Sequence, residues 1–194
     1  MGKRVYEEVI IAGFGGQGII LAGKLLAQAA MKAGKEVTFM PSYGAEVRGG
    51  TANCMVVIAD EPIACPLVSN PDSLIVMNKA SLDKFISQLK KGGLLILNRS
   101  MIDVEHTNDD GIEIVSILAD QIAIELGTVK CSNMVALGAY LQKRGLIGLD
   151  IVADSLPCVL AGRYHDAIAL NIKALNRGAQ FVESAPADKS RTSR

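Results

Sequence analysis

Four glycines sit at the end of an apolar run: Gly13, Gly15, Gly16 and Gly18, within IIAGFGGQGI at residues 10–19. Three of them have the spacing G-x-G-x-x-G. Such a loop can cradle a phosphate. Glycine permits the turn and lets backbone N–H groups approach the ligand, and a following helix adds free N–H groups and the positive end of its dipole. Gly13 is expected to allow the turn, Gly15 to admit a diphosphate, and Gly18 to let the helix pack closely. Gln17 adds an amide donor. A second polar stretch, PSYGAEVRGGTANC at 41–54, offers Tyr43, Glu46 and Arg48 beside Gly49 and Gly50. Arg48 carries a fork that can grip a phosphate or a carboxylate. A surface or intersubunit ion pair between Glu46 and Arg48 is the plainer use of the same two residues.

Other chemistries find less support. A NAD site wants a carboxylate at the end of the second strand, to bind the ribose hydroxyls. That strand ends Thr38-Phe39-Met40-Pro41, and Glu36 lies at its start. A phosphate-bearing ligand other than NAD(P) or FAD, or a loop that faces a partner protein, fits better. There is no G-x-S-x-G, and His106 and His165 sit in polar surroundings away from any nucleophile motif. Cys54, Cys65, Cys131 and Cys158 form no C-x-x-C pair, so clustered thiolates for zinc or iron–sulfur are not expected.

The elements around the loop follow from periodicity. Residues 7–12 read as a buried strand, 17–33 as a helix ending at Gly34, and 35–40 as a second strand stopped by Pro41. Together they form a right-handed βαβ unit. Further strands are expected near 55–63, 73–77, 92–98 and 112–117. Helices are expected at 79–90 with Ser81 as a candidate N-cap, at 119–127, 132–143, 150–160 and 165–177. The fold class is α/β, a Rossmann-like doubly wound, mostly parallel sheet with helices on both faces. Residues 1–183 read as a single domain and 184–194 as a disordered tail.

Length and composition agree with such a domain. The chain has 194 residues, 49% hydrophobic, with 20 basic and 20 acidic side chains that cancel. Balanced charge and the absence of Trp give no reason to expect nucleic acid or an anionic membrane as partner. No apolar run reaches about 18 residues, and the chain reads as cytoplasmic.

Two segments together say more than either alone. GFGGQGIILAGKLLAQAA followed by PSYGAEVRGGTANCMVVIADEPIACP resembles the gamma subunit of the 2-oxoacid:ferredoxin (acceptor) oxidoreductases, from about residue 7 to about residue 175. S-Y-G-x-E-x-R-G-G some 24 residues after G-x-G-G-Q-G is a specific pairing. The resemblance leans toward the 2-oxoglutarate and branched-chain (ketoisovalerate) types. It implies a subunit of an enzyme complex that oxidatively decarboxylates a 2-oxoacid to an acyl-CoA, and no activity of the chain alone.

In that family thiamine diphosphate, Mg²⁺ and [4Fe–4S] clusters sit on partner alpha, beta and ferredoxin-like delta subunits. This chain agrees in lacking a G-D-G…N motif and clustered cysteines. Gly13, Gly15, Gly16, Gln17, Gly18, Tyr43, Glu46, Arg48, Gly49 and Gly50 are then the residues expected near coenzyme A or a neighbouring subunit. Isolated, the chain could pair with a second copy through surface meant for those partners. A stand-alone nucleotide-binding oxidoreductase and a regulatory nucleotide-binding module are the competing readings.

Overall fold

The computed structural model of the chain describes residues 4–44, 51–103, 111–160, 162 and 167–184. Six strands form one sheet: β1 (Tyr6–Phe14), β2 (Glu36–Tyr43), β3 (Thr51–Ala59), β4 (Ser73–Val76), β5 (Leu94–Asn98) and β6 (Glu113–Ile117). Their order across the sheet is β2-β3-β1-β4-β5-β6. β1, β4, β5 and β6 run parallel, while β3 is antiparallel to both of its neighbours.

β1 is an unbroken apolar run because both faces of the sheet are covered. Val9 and Ile11 point to one side, where they join the larger core. That core is built by α1 (Ile19–Lys32), α3 (Ala119–Glu125), α4 (Ser132–Arg144), α5 (Leu149–Ala153), α6 (Leu156–Val159) and α7 (Ile168–Ser184). Ile10 and Ala12 point to the other side and pack with Leu82 and Phe85 of α2 (Lys79–Phe85). The strand's period of two thus feeds two separate cores. Among the described residues, no helix is long and apolar enough to cross a membrane.

Several sequence expectations shift. The chain does pass from β1 through α1 to β2, but β2 lands two strands away and β3 fills the gap. Pro41 does not stop β2. The strand continues to Tyr43, with Pro41 opposite Cys54 of β3. β2 is an edge strand, so a residue without an N–H can leave its outer side unpaired at no loss to a ladder. The long polar loop assigned to 41–54 therefore shrinks, because both of its ends are hairpin strands.

The helix foreseen at 79–90 begins at an Asn78 cap rather than at Ser81, and its last turn is 3₁₀. The helix foreseen at 150–160 breaks at Asp154–Ser155, where α6 restarts with Pro157 in its first turn. α7 runs to Ser184, past the expected end at 177. His106, His165 and residues 185–194 of the expected tail lie outside the described residues.

Candidate functional site: the glycine loop at the switch point

Chain connections leave β1 toward β2 and β3 on one side, and β4 lies on the other. Ligands of open α/β sheets bind at the carboxyl ends of strands where the order reverses in this way. The glycine loop, residues 15–18, occupies that place between the end of β1 and the start of α1.

The glycines divide the work differently from the simple motif reading. Gly13 is still in β1, opposite Ala52 of β3. A methyl group there would stand 2.6 Å from both Gln17 Oε1 and Ile19 Cδ1. Gly13 therefore makes room for the first helical residue. The turn itself falls to Gly16 and Gly18, whose φ values of 99° and 70° lie in the left-handed region. Gly18 also meets Asn133 of α4, and a methyl group at Gly18 would collide with the Asn133 amide. Asn133 Nδ2 donates to Gly18 O at 2.9 Å, the same oxygen that accepts from Ala22 N.

Gln17 is turned inward. Its Oε1 accepts from Phe14 N at 2.7 Å and from Asn78 Nδ2 at 3.2 Å, and its Nε2 donates to Met77 O at 3.4 Å. Gln17 N in turn donates to Phe14 O at 3.1 Å. The expected amide donor is thus spent on holding the loop. Among the described residues, the backbone N–H groups of Gly15, Gly16 and Gly18 have no acceptor.

Asn78 and Asn133 escaped the sequence reading. Asn78 is 2% exposed, and its Oδ1 accepts from Ser81 N at 2.9 Å. The only trace of it in the sequence is an Asn placed three residues before a serine at a helix start. Asn133 left no local sign, because its partner is 115 residues away.

The second motif reaches the same end of the sheet. Tyr43 pairs with Ala52, and Ala52 pairs with Gly13, so the three lie in one row across β2, β3 and β1. Tyr43 is 70% exposed beside the loop. Gly44 N donates to Thr51 O at 2.8 Å and closes the described part of the hairpin. Glu46, Arg48, Gly49 and Gly50 lie outside the described residues. The carboxyl half of β2 is Phe39-Met40-Pro41-Ser42-Tyr43, with no carboxylate to take a ribose.

Titrating groups gather elsewhere. At the opposite end of β1, Glu7 is buried, and burial pushes its carboxyl above the usual range, against the pull of the Ser73 hydroxyl and the Arg144 guanidinium. Burial raises the Cys54 thiol to about 12, an inert group packed under Gly23 of α1. Among the described residues, no three His, Cys, Asp or Glu side chains come together as metal ligands. The loop itself offers backbone N–H groups held by inward-turned carboxamides, and neither kind of group exchanges protons near neutral pH.

An open α/β sheet with a glycine turn and a hairpin at its switch point defines a Rossmann-like binding domain. Residues 8–181 match the family described as pyruvate ferredoxin/flavodoxin oxidoreductase, and the chain belongs to that family. It is 36% identical over 176 residues to the ketoisovalerate oxidoreductase subunit VorA of Methanothermobacter marburgensis, a match that takes in 90% of this chain and 36% of that one. The chain thus spans about a third of the length of that relative. It is 37% identical over 164 residues to the 2-oxoglutarate synthase subunit KorC of Methanothermobacter thermautotrophicus, covering 79% of this chain and 86% of the other.

Among solved structures, a keto/oxoacid ferredoxin oxidoreductase gamma subunit from Geobacter sulfurreducens superimposes with a TM-score of 0.78 at 28% identity, over 92% of this chain and 99% of that one. A 2-oxoglutarate:ferredoxin oxidoreductase from Magnetococcus marinus, solved with 2-oxoglutarate, coenzyme A and succinyl-CoA, gives 0.79 at 25% identity, over 97% of this chain and 33% of that one.

Proposed function

We propose that the chain is the gamma subunit of a 2-oxoacid:ferredoxin oxidoreductase, acting in the coenzyme A-dependent oxidative decarboxylation of 2-oxoglutarate or a branched-chain 2-oxoacid. The observation that carries this is the extent of the match: residues 8–181 fit the family, and the alignments take in 86% of the KorC subunit and 36% of the longer VorA chain. Thiamine diphosphate with Mg²⁺ supplies the decarboxylation chemistry, and iron–sulfur clusters carry the two electrons away, on alpha, beta and ferredoxin-like delta partners. Among the described residues no three His, Cys, Asp or Glu side chains come together as metal ligands, and in this reading the chain's share is to bind and orient.

In this reading the N–H groups of Gly15, Gly16 and Gly18 meet the diphosphate of coenzyme A. The loop suits it because it offers N–H donors without a ribose-binding carboxylate. Tyr43 at the end of β2 and Glu46, Arg48, Gly49 and Gly50 of the second motif are the residues this reading assigns to coenzyme A or to a partner subunit. Arg48 supplies the positive charge that neutral amides lack.

Co-purification of the tagged chain from its host under anaerobic conditions, followed by mass spectrometry, tests the assignment. Subunits with a thiamine diphosphate motif and a cysteine-rich ferredoxin-like chain should come with it. A chain that elutes alone and binds NAD at micromolar concentration would replace this reading with that of a stand-alone nucleotide-dependent oxidoreductase.

A further inference from the structure

We propose that Asn78 is a positioning residue for the glycine loop, acting through Gln17 to hold the loop's N–H groups in register for the coenzyme A diphosphate. The proposal rests on the function just given and assigns a role to a residue outside both motifs.

The geometry is a two-carboxamide latch across the switch point. Gln17 belongs to the β1–α1 turn, while Asn78 belongs to the β4–α2 turn beside it. Asn78 is pinned first: its Oδ1 caps α2 by accepting from Ser81 N at 2.9 Å. That fixes Nδ2 as the outward donor, and it reaches Gln17 Oε1 at 3.2 Å. Gln17 Oε1 takes Phe14 N at 2.7 Å, and Gln17 Nε2 gives to Met77 O at 3.4 Å. The four bonds have one consistent assignment. If either amide were flipped, a donor would face a donor or an oxygen would face an oxygen.

The result is that the last residue of β1 is closed onto the loop from both sides, by Phe14 N to the Gln17 side chain and by Gln17 N to Phe14 O. With both ends tied, the residues between, Gly15 and Gly16, lose most of the freedom that glycine would otherwise have. A loop held this way before binding does not lose that conformational entropy on binding.

The two jobs of Asn78 can be separated by one substitution. Asn78→Asp keeps an acceptor for Ser81 N, and Asp caps helices about as well as Asn. It has no Nδ2, so it sets a carboxylate against Gln17 Oε1. If Gln17 flips to donate to it, Phe14 N loses its acceptor and Met77 O faces an oxygen. The cap is kept and the latch is lost, at the cost of a carboxylate in a site only 2% exposed.

The test uses the assembled complex carrying Asn78→Asp, with Gly16→Ala as a direct perturbation of the loop. For Asn78→Asp the expected result is an apparent KM for coenzyme A raised about 3- to 10-fold, the scale of one or two lost hydrogen bonds. The KM for the 2-oxoacid should be unchanged and co-elution with partners intact, while Tm falls by the cost of the buried carboxylate. If Gly16→Ala raises the coenzyme A KM and Asn78→Asp leaves it at the parent value, the loop reading stands and the positioning role is overturned. If neither variant moves it in a complex that still assembles, the loop does not meet coenzyme A, and both the reading and the inference fall. A rise in KM for both substrates alike, or a loss of co-elution, would make Asn78 a structural residue alone and overturn the positioning role.

Discussion

At Gly18 a single side-chain atom decides whether the loop can form. The residue is left-handed and faces the Asn133 amide, so Gly18→Ala meets both a conformational penalty and a collision. The left-handed conformation alone disfavours an L-residue by about 1–2 kcal/mol. A loss of at least that size in urea unfolding is expected, and Asn133→Ala in the same chain should relieve the part due to the collision. Arg48 makes the opposite case. As a polar residue outside any periodic apolar pattern in the sequence, Arg48→Ala should change stability by no more than about 0.5 kcal/mol. It should nonetheless remove about 2–5 kcal/mol from whichever process its charge serves. A higher KM for coenzyme A in an assembled complex marks a phosphate role, and weakened co-elution marks a partner role. If both readouts stay at the parent value, Arg48 is a solvated charge.

Between elements, α4 and α7 approach closely at two glycines. A methyl group at Gly138 would run into the Leu175 carbonyl, and one at Gly178 into the Val135 carbonyl. Exposed helical Gly→Ala changes stabilise by about 1 kcal/mol. Here both substitutions should destabilise, because backbone cannot yield as a side chain can, with overpacking losses of about 1–3 kcal/mol. Equal or higher Tm for either variant would mean that the helices can slide apart freely.

Such long-range contacts mark where the sequence stops being readable. The apolar run of β1, the helix after it and the stop at Gly34 were visible, because each is written in neighbouring residues. The insertion of β3 between β1 and β2 was not, since strand pairing depends on partners tens of residues away. Pro41 misled for the same reason: a proline ends a central strand but not an edge strand, and edge position is a property of the sheet. Gln17 was read as an amide donor for a ligand, but its side chain turns inward, and that turn depends on Met77 and Asn78.

Across the whole molecule, the glycine loop and the ionic anchoring lie at opposite ends of the sheet. At the far end from the loop, Arg144 donates to Ser73 Oγ at 2.8 Å and Asp72 O at 2.6 Å, and its Nε lies 2.9 Å from Glu7 Oε1. Arg144→Met would strand a nearly buried carboxylate. A loss of about 3–5 kcal/mol is expected, and the double variant Glu7→Leu/Arg144→Met should recover most of it. If the double variant is no better than the single one, the pair is not the source of the loss.

The pH dependence has two opposed parts. Lys35 as a hydrogen-bond partner, then the Val5 N–H, lowers the Asp60 carboxyl. Its contribution is present above the unfolded carboxylate value and is lost as pH falls through the folded one. Glu7 is raised by burial, so its contribution is full below the unfolded value and fades as pH rises through the folded one. Asp60→Asn should flatten the acid side of a Tm–pH profile below about pH 4. An unchanged acid limb would place that sensitivity at other carboxylates.

The central claim is that this chain completes an oxidoreductase it cannot replace. The direct measurement is coenzyme A-dependent reduction of a low-potential acceptor with 2-oxoglutarate or a branched-chain 2-oxoacid, by the partner subunits alone and then with this chain added back. The account predicts little turnover without the chain, a saturable rise as it is added, and no turnover by the chain on its own. Partner subunits that turn over equally well without it, or a chain that reduces a nicotinamide cofactor unaided, would contradict the account.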